Sequence, residues 1–102
     1  NNYNKEWHNK MKDKQNPLQP SIDGFTRNKE TESKLNESFV TLFRSDVGKY
    51  VLQYLRSITI ETVAGFNITN EELRGREGMR FLVGIIEQRI KEGENARARK
   101  SN

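Results

Sequence analysis

Hydrophobic and polar positions divide this chain into three stretches with different patterns. Residues 1–38 hold few apolar side chains, scattered among Asn, Lys, Gln and Glu. Residues 39–93 carry dense apolar positions at helical spacing, and residues 94–102 are polar and basic. This distribution predicts an all-α fold: an extended polar N-terminal arm (1–38), a small helical domain (39–93) and a basic polar tail (94–102).

Two short amphipathic helices are predicted at the start of the helical domain. The first begins near Leu35 and carries apolar residues at i, i+4, i+7 and i+8. The second covers about residues 46–58, with Ser45 as its N-cap and Gly48 in its first turn, where a glycine permits close packing. Its apolar positions recur at i, i+3, i+4, i+7, i+8 and i+11; they are Val47, Tyr50, Val51, Tyr54, Leu55 and Ile58.

The stretch 58–68 allows two interpretations. Apolar and polar residues alternate at its start as in a strand, but the sequence shows no partner strand. A loop that packs over the helices is therefore favoured. The residues expected to pack are Ile60, Val63, Phe66 and Ile68.

A long C-terminal helix is predicted from about residue 70 to Glu92, with Gly93 as its stop. Thr69 and Glu72 have the spacing of a capping box, and Asn70 is the alternative cap. Apolar positions surround the helix almost completely at 81–86, so more than one side of it must be covered. The apolar stripes predict that four residues are buried together, namely Phe43, Leu55, Leu82 and Ile86.

Small and charged residues at the start of this helix have competing interpretations. Gly75 and Gly78 are expected to permit close helix approach, because they lack the sequence context of a phosphate-binding loop. The arginines nearby could face phosphate, but interleaved glutamates favour a mixed charged surface. These residues are Arg74, Arg76 and Arg80 with Glu71, Glu72 and Glu77.

Composition and charge argue against several classes of function. The net charge of +4 is dispersed as +1, +1 and +2 over the three stretches, whereas DNA-binding domains usually gather positive charge on one face. The chain has no cysteine and a single histidine, His8, too few for a disulfide, a thiolate metal site or a catalytic triad. No apolar run approaches the length of a membrane span. We expect no catalytic residues, cofactor, metal, membrane or small-molecule substrate.

Candidate contact residues lie in the arm, the last helix and the tail. Tyr3, Trp7 and Met11 fall at i, i+4 and i+8, which suits a short anchoring helix, although chance spacing in a frayed arm is the alternative. Ile22 and Phe25 flank the Asp23-Gly24 turn signal. The candidate partner-binding residues are Tyr3, Trp7, Ile22, Phe25, Phe81 and Ile85. The candidate nucleic-acid residues are Arg97, Arg99 and Lys100.

Residues 39–92 resemble a small bacteriophage domain family first named from a Bordetella phage open reading frame. The matching segments are FVTLFRS at 39–45, GKYVLQYL at 48–55 and REGMRFLVGII at 76–86. The family pattern has F-x-x-x-F, a capping Ser or Thr, a Gly-basic-x-V-L-x-x-L segment and E-G-x-R before an apolar helix. The proline that often precedes the Gly-Lys segment is absent here, which bears on the start of the second helix.

The resemblance implies a non-enzymatic structural or morphogenesis protein of a tailed phage, made in the bacterial cytoplasm and located in the virion. We expect a minor component of a short-tailed particle, present in multiple symmetric copies. Its helical unit would dock on portal, adaptor, tail or head-interior proteins, and its arm would become ordered only on those neighbours. The alternative is an internal or ejected protein that contacts packaged DNA weakly through its basic tail.

Overall fold

A computed structural model describes residues 18–101 and shows a mostly helical chain with one small hairpin. The elements are β1 (Gln19–Pro20), β2 (Thr26–Arg27), α1 (Lys29–Arg44), α2 (Asp46–Ser57) and α3 (Asn70–Ser101). The predicted order of two shorter helices and a long C-terminal helix is confirmed. The chain divides into two compact units between Leu35 and Asn36, inside α1, and each unit is described separately.

The first unit contains a β-hairpin around the Asp23-Gly24 turn. β1 pairs antiparallel with β2, with Gln19 opposite Arg27. Gly24 has φ +87°, in the left-handed region that glycine adopts without a steric penalty. The Asp23 carboxylate accepts a hydrogen bond from the Phe25 backbone N–H at 3.0 Å and forms an ion pair with Arg27 at 2.7 Å. The turn signal is confirmed, but this part of the predicted arm is a hairpin.

Helix α1 begins earlier than the apolar pattern predicted. The Asn28 side chain accepts a hydrogen bond from the Thr31 N–H at 2.8 Å and caps the helix. Acidic residues in the first turn suit its positive end. The prediction of an extended arm is therefore wrong for residues 29–38. The sequence from 29 to 34 lacks an apolar stripe but is rich in Lys and Glu, which favour helix without one.

A single residue, Ser45, connects α1 to α2. Its hydroxyl accepts a hydrogen bond from the Gly48 N–H at 3.0 Å and donates one to the Leu42 carbonyl at 2.7 Å. A Cβ at Gly48 would collide with the Leu42 carbonyl and lie 2.8 Å from the Phe43 Cα. The predicted N-cap and the close packing at Gly48 are both confirmed.

Helix α3 contacts α1 closely at Gly93. A Cβ at this position would overlap the fully buried Val40 side chain and lie 2.6 Å from the Asn36 carbonyl oxygen. The helix continues through Gly93 to Ser101, so the predicted stop and the separate polar tail are wrong. Gly93 serves close helix packing here, whereas a glycine that ends a helix adopts a positive φ.

Polar side chains join α3 to α2 and to the loop that follows. Arg56 donates a hydrogen bond to the Glu87 carboxylate at 2.5 Å. The Arg80 guanidinium lies 3.3 Å from each of three loop carbonyl oxygens, those of Thr59, Ile60 and Thr62. Arg76 donates to the Thr62 hydroxyl at 2.8 Å. The segment 58–68 is thus a loop, as favoured, and these arginines hold its first half.

The apolar core is smaller than the sequence pattern predicted. Within residues 18–101, the buried apolar side chains are Val40 and Val83. Phe43, Leu55 and Ile86 are half-buried, but Leu82 is 59% exposed, so the predicted shared burial is wrong for Leu82. The inward stripe of α3 instead follows Arg76, Arg80, Val83, Glu87 and Ile90, and Leu82 lies to one side of it.

Candidate interaction surface

Helix α2 has a broad apolar surface, and the structure buries only one side of it. Gly48 is buried, and Leu52 and Leu55 are half-buried on the side that faces α1 and α3. The other side carries four large residues of α2, and the C-cap residue Ile58 continues it; all five are 44–75% exposed. We call them the α2 stripe: Val47, Tyr50, Val51, Tyr54 and Ile58. The sequence pattern grouped these residues with Leu55 as one apolar face, and the structure separates them from it.

The α2 stripe has the chemistry of a surface that a partner covers. Its two tyrosines combine an apolar ring with a hydroxyl that can remain hydrated, which is why tyrosine is enriched at interfaces. No charged residue occurs between Tyr50 and Leu55. A shallow recess of about 310 Å³ lies on the same helix, lined by Tyr50, Gln53, Tyr54 and Ser57. The recess therefore borders the stripe at Tyr50 and Tyr54.

A second exposed apolar area lies on the N-terminal half of α3. Met79 is 49% exposed, Phe81 62% and Leu82 59%, while Ile85 is half-buried. We call these four residues the α3 patch. It contains both partner-binding residues that were predicted on this helix.

No atom lies within 4 Å of where a Cβ would stand on the neighbouring Gly75 or Gly78, so the close helix approach expected there does not occur in the described structure.

The loop between α2 and α3 exposes further apolar side chains. Val63 is 91% exposed, and Phe66 is fully exposed at the loop surface. The expectation that they pack over the helices is wrong for these two residues, while Ile60 and Ile68 are half-buried. Arg80 holds the loop by its carbonyl groups between Thr59 and Thr62, whereas the side chains of Val63 and Phe66 are left uncovered.

The predicted contact residues of the arm are partly described. Ile22 is 41% exposed and Phe25 68% exposed in the hairpin. The Arg27 guanidinium lies 5.8 Å from the centre of the Phe25 ring. Its hydrogen bond to Asp23 raises the pKa of Arg27. Tyr3 and Trp7 lie outside the described residues.

The basic C-terminal residues have different environments in the structure. Arg97 donates to the Glu37 carboxylate through Nε at 3.0 Å and to the Thr41 hydroxyl through Nη2 at 3.2 Å. The hydrogen bond between Arg97 and Glu37 lowers the pKa of Glu37 and raises the pKa of Arg97. Arg99 and Lys100 are exposed at the end of α3. Because Arg97 is engaged within the fold, the interaction weighs against its predicted role on nucleic acid.

Carboxylates in the helical unit are held by arginines. Arg44 pairs with Glu94 at 3.1 Å, and Arg56 pairs with Glu87 at 2.5 Å. Among residues 18–101, no three acidic or histidine side chains are grouped as a metal site would require. In the same range, no helix has the length and apolar character needed to cross a bilayer.

Comparison with known proteins found no family model that matches the chain and no similar curated protein or solved structure. The resemblance of residues 39–92 to the phage domain family stays a prediction.

Proposed function

We propose that this chain is a non-enzymatic docking subunit of a tailed-phage particle. It would bind another structural protein of the particle, such as a portal, adaptor or tail protein, in several symmetric copies. The observation that carries the proposal is the amount of apolar side chain at the surface of a unit with so small a core. Apolar patches of this kind on a soluble chain mark sites that a partner covers.

Hydrogen bonds and an ion pair at both ends of α2 support a docking role. The Ser45 cap fixes the start of α2, and the Arg56–Glu87 ion pair holds its end against α3. The α2 stripe and the α3 patch therefore stand on helices, whose side-chain spacing is regular. A partner can bind such a surface without first ordering it, which lowers the entropic cost of association.

The phage setting rests on the resemblance of residues 39–92. Two residues of its pattern have defined structural roles in this chain. Ser45 caps α2, and Gly48 lets α2 approach the end of α1. Both residues shape the backbone and neither takes part in a chemical reaction, in accord with a structural protein. The exposed α3 patch, with Phe81 and Ile85, is the surface we assign to the other phage protein.

Incorporation into particles tests this function. A tagged chain would be produced in the host during infection by the phage that encodes it, and particles would be purified by density gradient. We expect the chain in intact particles at a fixed ratio to the portal protein. Phe81→Glu should reduce incorporation strongly, because it places a charge in the α3 patch. Phe66→Glu, the same change at a fully exposed loop residue, should not.

Two results would contradict the proposal. Absence of the unmodified chain from purified particles would reject the virion role. Equal incorporation of the Phe81→Glu and Phe66→Glu chains would reject the α3 patch as the docking surface. Circular dichroism of both variants should match the unmodified chain, since both side chains are largely exposed.

A further inference from the structure

We propose that the α2 stripe binds a second copy of this chain, through an antiparallel pairing of the two α2 helices about a two-fold axis. The pairing goes beyond the proposed function, because it concerns the chain itself and leaves the α3 patch free for another protein. Its basis is the spacing, area and charge of the stripe.

Four of the five residues of the stripe have a spacing that is the same when it is read in either direction, and Tyr50 lies beside them. Val47, Val51, Tyr54 and Ile58 are separated by four, three and four residues. A two-fold axis between positions 52 and 53 therefore aligns these residues with their counterparts on a reversed helix. Val51 then faces Tyr54 of the other copy, and Val47 faces Ile58. A two-fold interface requires such self-complementarity, because each copy presents the same surface.

The sizes of the facing residues also agree with this register. Each valine of one copy stands opposite a larger residue of the other, so small and large side chains alternate along the contact. The recess lined by Tyr50, Gln53, Tyr54 and Ser57 borders this contact on one side. Such interlocking is how helices pack side by side.

The exposed area suffices for a weak but specific dimer. A buried aromatic side chain covers roughly 150–250 Å². Tyr50 is 70% exposed and Tyr54 58%, and Val47, Val51 and Ile58 are exposed as well. We take the exposed area of Val47, Val51 and Ile58 together as about equal to that of the two tyrosines. Two copies then bury on the order of 1,000 Å² in total, near the lower limit for specific interfaces.

Charge favours a second copy over a different, charged partner. The centre of the stripe lacks charge, and cores of homodimer interfaces are depleted of charged residues. A partner recognised by charge would need complementary groups that this face does not offer between Tyr50 and Leu55. A second copy needs none, since it buries apolar surface against apolar surface.

Analytical ultracentrifugation of the full chain, from low-micromolar to sub-millimolar concentration, tests the dimer. We expect a reversible monomer–dimer equilibrium. Tyr54→Glu should weaken dimerisation by at least roughly 100-fold, because it buries a charge at the centre of the interface on both copies. Phe66→Glu is the matched control and should leave the equilibrium unchanged.

Mixing two variants tests the register. V51K and Y54E should each dimerise poorly, whereas an equimolar mixture should form a heterodimer, since the introduced lysine of one chain faces the introduced glutamate of the other. A monomer at all concentrations, or a dimer that tolerates Y54E, would overturn the proposal. A mixture that stays monomeric would overturn the antiparallel register. None of these results depends on whether the chain enters phage particles.

Discussion

At the scale of single residues, the same amino acid has different roles in this chain. Gly24 supplies a positive φ in the hairpin turn. Gly48 and Gly93 lie where a side chain would collide with α1. Gly84, in contrast, is exposed in the middle of α3 with no atom near the position of its Cβ. Gly48, Gly93 and Gly84 therefore differ in the atoms that lie near them in space, and the residues beside each glycine in the sequence do not show this difference.

Substitution of two glycines in α3 tests this difference. Gly93→Ala should lower the free energy of unfolding by about 1–3 kcal/mol, because the added methyl overlaps Val40 and the Asn36 backbone. Gly84→Ala should raise it by up to about 1 kcal/mol, because alanine favours helix and meets no obstacle. Urea unfolding of both variants measures the two values. If Gly84→Ala also lowered the free energy of unfolding, close packing at Gly93 would not explain the loss of stability in Gly93→Ala.

At the scale of elements, arginines join helices whose apolar contacts are few. Arg97 joins α3 to α1, Arg56 joins α2 to α3, and Arg80 holds the loop. Arg89 is buried, donates to the Asn36 side chain at 2.9 Å and lies 6.0 Å from the Phe39 ring centre. Because these contacts are directional, they fix the position of α3 more strictly than valine contacts alone would.

The Glu37–Arg97 pair predicts a pH dependence of stability. Arg97 holds the pKa of Glu37 below its usual range in the folded chain. Stability from such a carboxylate is complete above its unfolded pKa and disappears as the pH falls through the lower, folded pKa. Glu37→Gln should thus destabilise the chain at neutral pH and make little difference in acid. The effect should be small and weaken with salt, because the pair is exposed.

Denaturant titrations across acidic to neutral pH measure this dependence. The same Glu37→Gln change in an Arg97→Gln background is the control. Removing Glu37 there should change stability with pH much less, since its main partner is gone and only the weaker effects of the Lys100 and Arg44 charges remain. A pH dependence of the same size in this background would show that the pair with Arg97 is not its cause.

At the scale of the whole molecule, a small apolar core coexists with a large exposed apolar surface. Val40 and Val83 are the buried apolar side chains of residues 18–101, while the α2 stripe and the α3 patch remain open. Units of this size are marginally stable alone, and a partner that binds the folded state adds to their stability. Folding and association should therefore be linked.

This linkage predicts a melting temperature that depends on protein concentration. If two copies pair through the α2 stripe, mass action should raise the melting temperature as the chain is concentrated. The Tyr54→Glu chain should melt at a temperature independent of concentration, and Phe66→Glu should behave as the unmodified chain does. Calorimetry over a concentration series measures this. If the melting temperature of the unmodified chain did not change with concentration, dimerisation would not contribute to its stability.

The sequence by itself determined the local features of this protein. Its apolar spacing gave three helices in the right order, and Ser45 and Thr69 were identified as caps, with Thr69 accepting from the Glu72 N–H at 3.1 Å. The Asp23-Gly24 turn was also correct. These features depend on hydrogen bonds and backbone preferences within a few residues, which a sequence states directly.

Tertiary structure decided which apolar face each helix buries and where its ends lie. A helical wheel shows that α2 has one broad apolar surface, but not that Leu52 and Leu55 face inward while Tyr50 and Tyr54 face water. It shows a glycine at 93, but not that α1 crosses there and the helix continues. Burial and close contact depend on residues distant in sequence, and helical spacing within one segment does not contain their positions.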